Sequence, residues 1–211
     1  MFRPGRIILL LILALGGYGL FFQTPAGPHD LAAFDPEVVA DLETEAWKAQ
    51  ADKSEFSLFF ICAKMTREQF RYTWWRALRS GLYESRLLIS VGEMSNRFER
   101  ALPDLEASAA IEQSWTKINF EPAKAARARL DWLASSRMPG QDATETIASH
   151  MADDYAMRYG VGQDRVAGFA EYRVGAMKMR DDPNTKRDWN QVKRMLVEAY
   201  KALKAGVAVK R

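Results

Sequence analysis

Reactive side chains are scarce in this chain. Cys62 is the only cysteine, and His29 and His150 are the only histidines, among 211 residues. One thiol excludes an internal disulfide; with Phe59, Phe60, Ile61 and Met65 beside it, Cys62 reads as a small buried hydrophobe rather than a nucleophile. Two imidazoles, one lodged between Pro28 and Asp30, leave too few nitrogen ligands for most transition-metal sites. A carboxylate-bridged di-iron bundle is excluded too, because it requires Glu-x-x-His and that spacing does not occur. No metal or other cofactor is expected. The Asn-X-Ser/Thr acceptor is also missing, which suits a bacterial periplasm better than a eukaryotic lumen.

Charge is missing from one long stretch. No Lys, Arg, Asp or Glu occurs between Arg6 and Asp30, and Ile7 to Phe22 is continuously apolar. A bilayer core needs about 20 apolar helical residues, and Arg on one flank only holds that flank in the cytoplasm. The pattern predicts a cytoplasmic N-terminus over 1–6, a transmembrane signal anchor over 7–22, a linker over 23–34 and one extracytoplasmic domain over 35–211. The location is then the inner (plasma) membrane, with a single pass and the domain in the periplasm. The alternative is a cleaved signal peptide, with the bond after Ala26 as the best candidate and a secreted helical protein as the product. Pro25 and Pro28 crowd that bond, and the apolar run exceeds the usual signal core of roughly 7–15 residues. Retention is favoured.

The formal net charge is +3. It is a mild C-terminal excess over a slightly acidic middle, which does not mark a nucleic-acid binder.

Start and stop signals predict an all-α fold, an irregular bundle of about seven helices in one domain. Asp35 and Pro36 form a cap and first turn, with Phe34 and Val39 spaced as a hydrophobic staple, so a helix should run to about Gln50. Asp52 with Glu55 reads as a capping box opening a helix whose Phe56, Phe59, Phe60 and Ala63 should form the centre of the core. Thr66 with Gln69 reads as another start, of a helix continuing to about Leu102 before Pro103. Further helices are expected from Pro103 to about Trp115, Pro122 to about Ser136, Ala143 to Tyr159 (capped by Asp142 with Glu145), Asp164 to about Arg180 and Asp188 to about Ala205, the last closed by Gly206. Val192, Leu196, Ala199 and Leu203 make its apolar stripe.

Candidate chemistry is thin. His150 has Asp153 and Asp154 three and four positions on, the spacing of a solvated His–Asp pair on a helix surface or a weak metal contact. Glu84-Ser85-Arg86 resembles the catalytic-glutamate segment of lytic transglycosylases, which implies a periplasmic enzyme with Glu84 as general acid; the Gly-rich, Met-Gln continuation of that motif does not follow Arg86. No residue is therefore assigned a catalytic role. Projecting residues 67–96 as a helix puts Phe70, Trp74, Ala77, Gly81, Ser85, Leu88 and Gly92 on a side whose small centre allows close helix approach. The opposite side carries Tyr72, Arg76, Arg79, Tyr83 and Arg86, a Tyr/Arg ridge. Such residues dominate many binding surfaces, which makes the ridge the candidate contact for an envelope protein or an anionic surface.

Overall fold

The computed structural model describes residues 16–19, 21–27, 29–93, 98–136, 144–182 and 188–208. Most of the expected transmembrane run lies outside the described residues; those of it that are described, 16–19 and 21–22, are helical. Among the described residues no helix is long and apolar enough to cross a membrane. Past residue 35 the described chain is all-helical, with eight α-helices where about seven were expected: α1 (Pro36–Ala51), α2 (Glu55–Phe70), α3 (Trp74–Glu93), α4 (Leu102–Thr116), α5 (Pro122–Ser135), α6 (Thr144–Tyr159), α7 (Gln163–Asp181) and α8 (Trp189–Val207). A 3-10 turn, Phe98–Ala101, leads into α4.

The caps at Asp35 and Asp188 are as expected. Asp35 accepts from the amides of Glu37 and Val38, and Asp188 from those of Asn190 and Gln191, each satisfying donors that a helix start leaves open. Asp52 is different: it closes α1, and Ser54 stands at the start of α2 without a side-chain cap. The start expected at Thr66 is not there either. Thr66 returns its hydroxyl to the Ala63 carbonyl and Gln69 donates to the Tyr159 hydroxyl at 2.8 Å, so both belong to the last turns of α2. Arg71 then takes a left-handed conformation (φ 55°) that ends the helix, and α3 restarts after Thr73, whose hydroxyl accepts from the Arg76 amide. The capping signal of Asp142 lies outside the described residues.

Each helix packs on its neighbours in sequence, and α8 packs back on α1, so the eight close into a ring. Close contacts set the spacing at two glycines. A methyl at Gly81 would lie 2.6 Å from the Ala63 amide nitrogen, which is the tight α2–α3 approach the small residues of α3 predict. A methyl at Gly206 would lie 2.0 Å from the Arg165 carbonyl oxygen, so Gly206 sits within α8 as a packing residue and does not end it.

The core is not where the phenylalanines of α2 suggested. Leu58, Cys62, Ala63 and Phe70 turn inward, while Phe56 is 76% and Phe60 40% exposed and Phe59 is half-buried. A helix of period 3.6 cannot bury 58, 62 and 69 together with 56 and 60, and the face lying on α1 and α3 wins. The interior is instead built on Phe34, Tyr72, Tyr159, Phe169 and Tyr200, with Phe169 between Tyr155 (ring centroids 4.3 Å) and Tyr200 (5.6 Å). Phe169→Ala should therefore destabilise residues 23–211 by about 3–5 kcal/mol in urea unfolding. Phe56→Ala should cost less than about 0.5 kcal/mol, and comparable losses at the two positions would contradict this core.

Candidate functional site

Six buried charged side chains and the half-buried Arg129 lie inside the ring, and three carboxylate–guanidinium pairs follow one pattern. Glu84 of α3 meets Arg129 of α5 through two hydrogen bonds (2.8 and 2.5 Å), and Ser108 of the intervening α4 donates to Glu84 at 2.9 Å. Glu112 of α4 meets Arg158 of α6 at 2.7 and 2.9 Å; Asp154 stands 3.5 Å from the same guanidinium, and Trp132 of the intervening α5 donates to Asp154. Glu43 of α1 meets Arg173 of α7 at 2.6 and 3.0 Å, and Tyr200 of the intervening α8 donates to Glu43 at 2.7 Å. Each pair thus joins helices two apart around the ring, and the helix between supplies a neutral donor.

Protonation separates the pairs. Burial pushes the Glu84 carboxyl up, but the charge and hydrogen bonds of Arg129 outweigh it and hold Glu84 below its ordinary value of 4.5. Glu112 goes the other way, raised by burial and by the Asp154 charge beyond what Arg158 recovers. Two carboxylates share one guanidinium there, and Glu112 Oε1 and Asp154 Oδ1 have no hydrogen-bond partner among the described residues. A general acid must carry a proton at working pH. Glu84 is ionised, clamped by Arg129 and buried, and it lines none of the grooves between α1, α2 and α3, between α6 and α7, or between α7 and α8. Its geometry is that of a structural ion pair.

Other polar candidates are also turned inward. Asp154 is fully buried while Asp153 is exposed, so the two do not form one surface cluster with His150. Cys62 is fully buried, and burial pushes its thiol far above the usual range, which removes thiolate chemistry.

The expected Tyr/Arg ridge is rearranged by the break at Arg71. Tyr72 precedes α3, is 1% exposed, and stacks on Phe70 inside the core. Arg76 is half-buried with its guanidinium 4.8 Å over the Trp115 ring, and Tyr83 is half-buried against the core. Arg79 and Arg86 are exposed, the latter 3.3 Å from Asp104. The outermost line of α3 is Trp75 (49% exposed), Arg79, Leu82 (46%) and Arg86, at i, i+4, i+7 and i+11. Trp75 and Leu82 were missed because the ridge was drawn along a line through Tyr72, which the break at Arg71 removes from the helix; the outward direction of α3 is rotated from that line toward Trp75 and Leu82. Beside this line, Phe56, Phe60 and Lys64 lie exposed on α2. Two edge-on contacts, Phe56–Phe60 at 4.9 Å and Phe59–Phe60 at 4.8 Å, tie these rings into one aromatic cluster.

Searches against protein-family models, curated proteins and solved structures found no match.

The two buried acids should respond oppositely to pH. Glu84, lowered, contributes stability that is present above 4.5 and fades as pH falls through its folded pKa; Glu112, raised, contributes stability below 4.5 that fades as pH rises through its folded pKa. Glu84→Gln should cost about 3 kcal/mol at pH 7, since it leaves the half-buried Arg129 without its counter-charge. Glu112→Gln should cost less than half of that, and its deficit relative to the parent should shrink from pH 4 to pH 7. Urea unfolding at a series of pH values checks this, and the same pH trend in both variants would contradict it.

Proposed function

We propose that the chain is a single-pass membrane protein, N-terminus in the cytoplasm, whose extracytoplasmic helical domain works by binding and not by catalysis. The observation that carries this reading is the division between inside and outside. The groups with chemical potential (Glu84, Glu112, Asp154 and Cys62) are buried, and most of them are ion-paired. Past residue 35, four of the six exposed large apolar side chains, Phe56, Phe60, Trp75 and Leu82, lie on α2 and α3, while Val38 and Tyr172 stand singly on α1 and α7. Scattered apolar residues on a surface need no explanation, whereas a cluster of aromatics rimmed by Lys64, Arg79 and Arg86 has the composition of a contact surface. The binding surface is therefore Trp75, Arg79, Leu82 and Arg86 with the α2 aromatics, Arg76 and Tyr83 forming its half-buried flank. An envelope protein or an anionic surface is the partner.

The anchor reading rests on the charge-free run and its flanking arginines. Tyr18, Phe21 and Phe22 are exposed at its outer end, where an aromatic belt would meet the headgroups. Deleting residues 1–22 should move the protein from the membrane fraction to the soluble fraction. Persistent attachment resistant to high salt would defeat the single-anchor reading, and a mature N-terminus near Gly27 would replace it by secretion. In-cell crosslinking from position 75 or 82 should capture an envelope protein or membrane lipid, and Trp75→Glu with Leu82→Glu should lose that contact while helicity is kept.

A further inference from the structure

The partner of this hairpin can be narrowed from its charge and from the route of the chain. Among the described side chains of α2 and α3 the only exposed carboxylate is Glu55, at the first position of α2. Lys64 and Arg79 are exposed and have no ion-pair partner among the described residues. The exposed line of α3 from Trp75 to Arg86 is about 16 Å long at 1.5 Å per residue and alternates apolar with basic side chains. Trp, Phe and Leu beside Lys and Arg, with almost no acid, is the composition that seats a helix at the boundary between acyl chains and anionic headgroups.

The chain path puts this hairpin close to the membrane. The Ala26 carbonyl accepts from Arg71 Nε at 3.1 Å, at the turn between α2 and α3. His29 Nδ1 lies 2.8 Å from the Trp115 carbonyl oxygen and Phe34 is fully buried, so the chain is fastened to the domain from Ala26 onward. Only four residue steps separate Phe22, the last residue of the apolar run, from Ala26. Fully extended they reach roughly 14 Å. With residues 7–22 in the bilayer, the Arg71 turn is held within that distance of the headgroups, and Trp75 lies in the first turn of the next helix.

We infer that the exposed face of the α2–α3 hairpin, with Phe56, Phe60, Lys64, Trp75, Arg79 and Leu82, docks onto the anionic lipid surface of the membrane in which the chain is anchored. The inference rests on the anchored-domain reading and supplies its partner. Each basic side chain brought near an anionic surface strengthens association about fivefold, which for a tethered domain decides between a face that rests on lipid and one that swings free.

The test uses the full chain reconstituted in nanodiscs, with an environment-sensitive fluorophore on a single introduced cysteine, Leu82→Cys or, as control, Tyr172→Cys on the exposed face of α7. Cys62 is buried and stays unlabelled. Brominated lipids should quench the probe at 82 and not at 172 in discs containing phosphatidylglycerol. Quenching at 82 should fall to the control level in purely phosphatidylcholine discs, in about 0.5 M salt, and in Lys64→Glu with Arg79→Glu. Lys64→Gln with Arg79→Gln should give an intermediate loss. An unquenched probe at 82 in anionic discs, equal quenching at 82 and 172, or equal quenching in the two lipids would each overturn the inference. Alkaline carbonate extraction separates the two levels: a chain that washes out has no anchor, and the proposed function falls. A chain that stays inserted with 82 unquenched, and crosslinks to a protein from 82 in cells, leaves the proposed function standing with a protein as its partner.

Discussion

Closing the ring depends on charges that should not be buried. Charged side chains buried inside a domain of this size carry desolvation costs of several kcal/mol each before any attraction is counted. They are tolerated because every guanidinium meets a carboxylate directly and because the helix between contributes a further donor: Ser108 to Glu84, Trp132 to Asp154, Tyr200 to Glu43. An apolar contact is indifferent to sliding along a helix; a two-pronged Arg–carboxylate pair is not. Pairs spanning α3–α5, α4–α6 and α7–α1 therefore fix the axial register of helices two apart, and with it the register of the helix between. Contacts between sequence neighbours alone would leave the ring free to open. Glu43 with Arg173 and Tyr200 is the pair that ties α1 to α7 and α8, at the junction where first and last helices meet.

The same constraint explains why the residues proposed to bind stand on the outer surface. Helices committed inward to Arg129, Arg158 and Arg173 present their remaining faces outward, and on α2 the inward face is claimed by Leu58, Cys62, Gln69 and Phe70. Gln69 reaches across to Tyr159 and Trp115 donates to the Phe70 carbonyl, which pins the rotation of α2. With that rotation set, Phe56 and Phe60 have nowhere to go but solvent. Their exposure is a consequence of polar contacts at the opposite end of the helix, and a surface forced out in this way persists only where water-facing aromatics are useful or harmless.

Legibility followed locality. The caps at Asp35 and Asp188 and the stripe Val192, Leu196, Ala199 and Leu203 were readable because each involves residues within a few positions of one another. The close α2–α3 approach was readable too, since Gly81 is small whatever lies opposite. What failed was decided at a distance. Thr66 and Gln69 have the spacing of a capping box, but Gln69 is used by Tyr159, 90 positions away. Phe59 and Phe60 are apolar, but hydrophobicity does not say which arc of a helix faces inward when nearly all of it is apolar. The ridge residues part for the same reason: Arg79 and Arg86 lie exposed on α3, while Tyr72 enters the core because Arg71 turns the chain. No spacing rule announces the buried pairs, since Glu43 and Arg173 are 130 positions apart.

A tether changes what such a surface must achieve. A free domain needs enough interface to overcome the loss of translational freedom on binding, which a hairpin with four exposed apolar side chains and two unpaired basic groups does not offer. A domain fastened by a few residues to the same membrane meets it at millimolar effective concentration, so weak contacts suffice to hold it down. On the proposed reading, orientation would be the function of that face. If residues 7–22 lie in the bilayer as proposed, the Ala26–Arg71 contact would keep the hairpin near it whichever way the domain leans, and the aromatic and basic side chains would select the lean that lays α2 and α3 along the surface. In that proposed arrangement the lean would turn α6 and α7, on the other side of the ring, away from the bilayer.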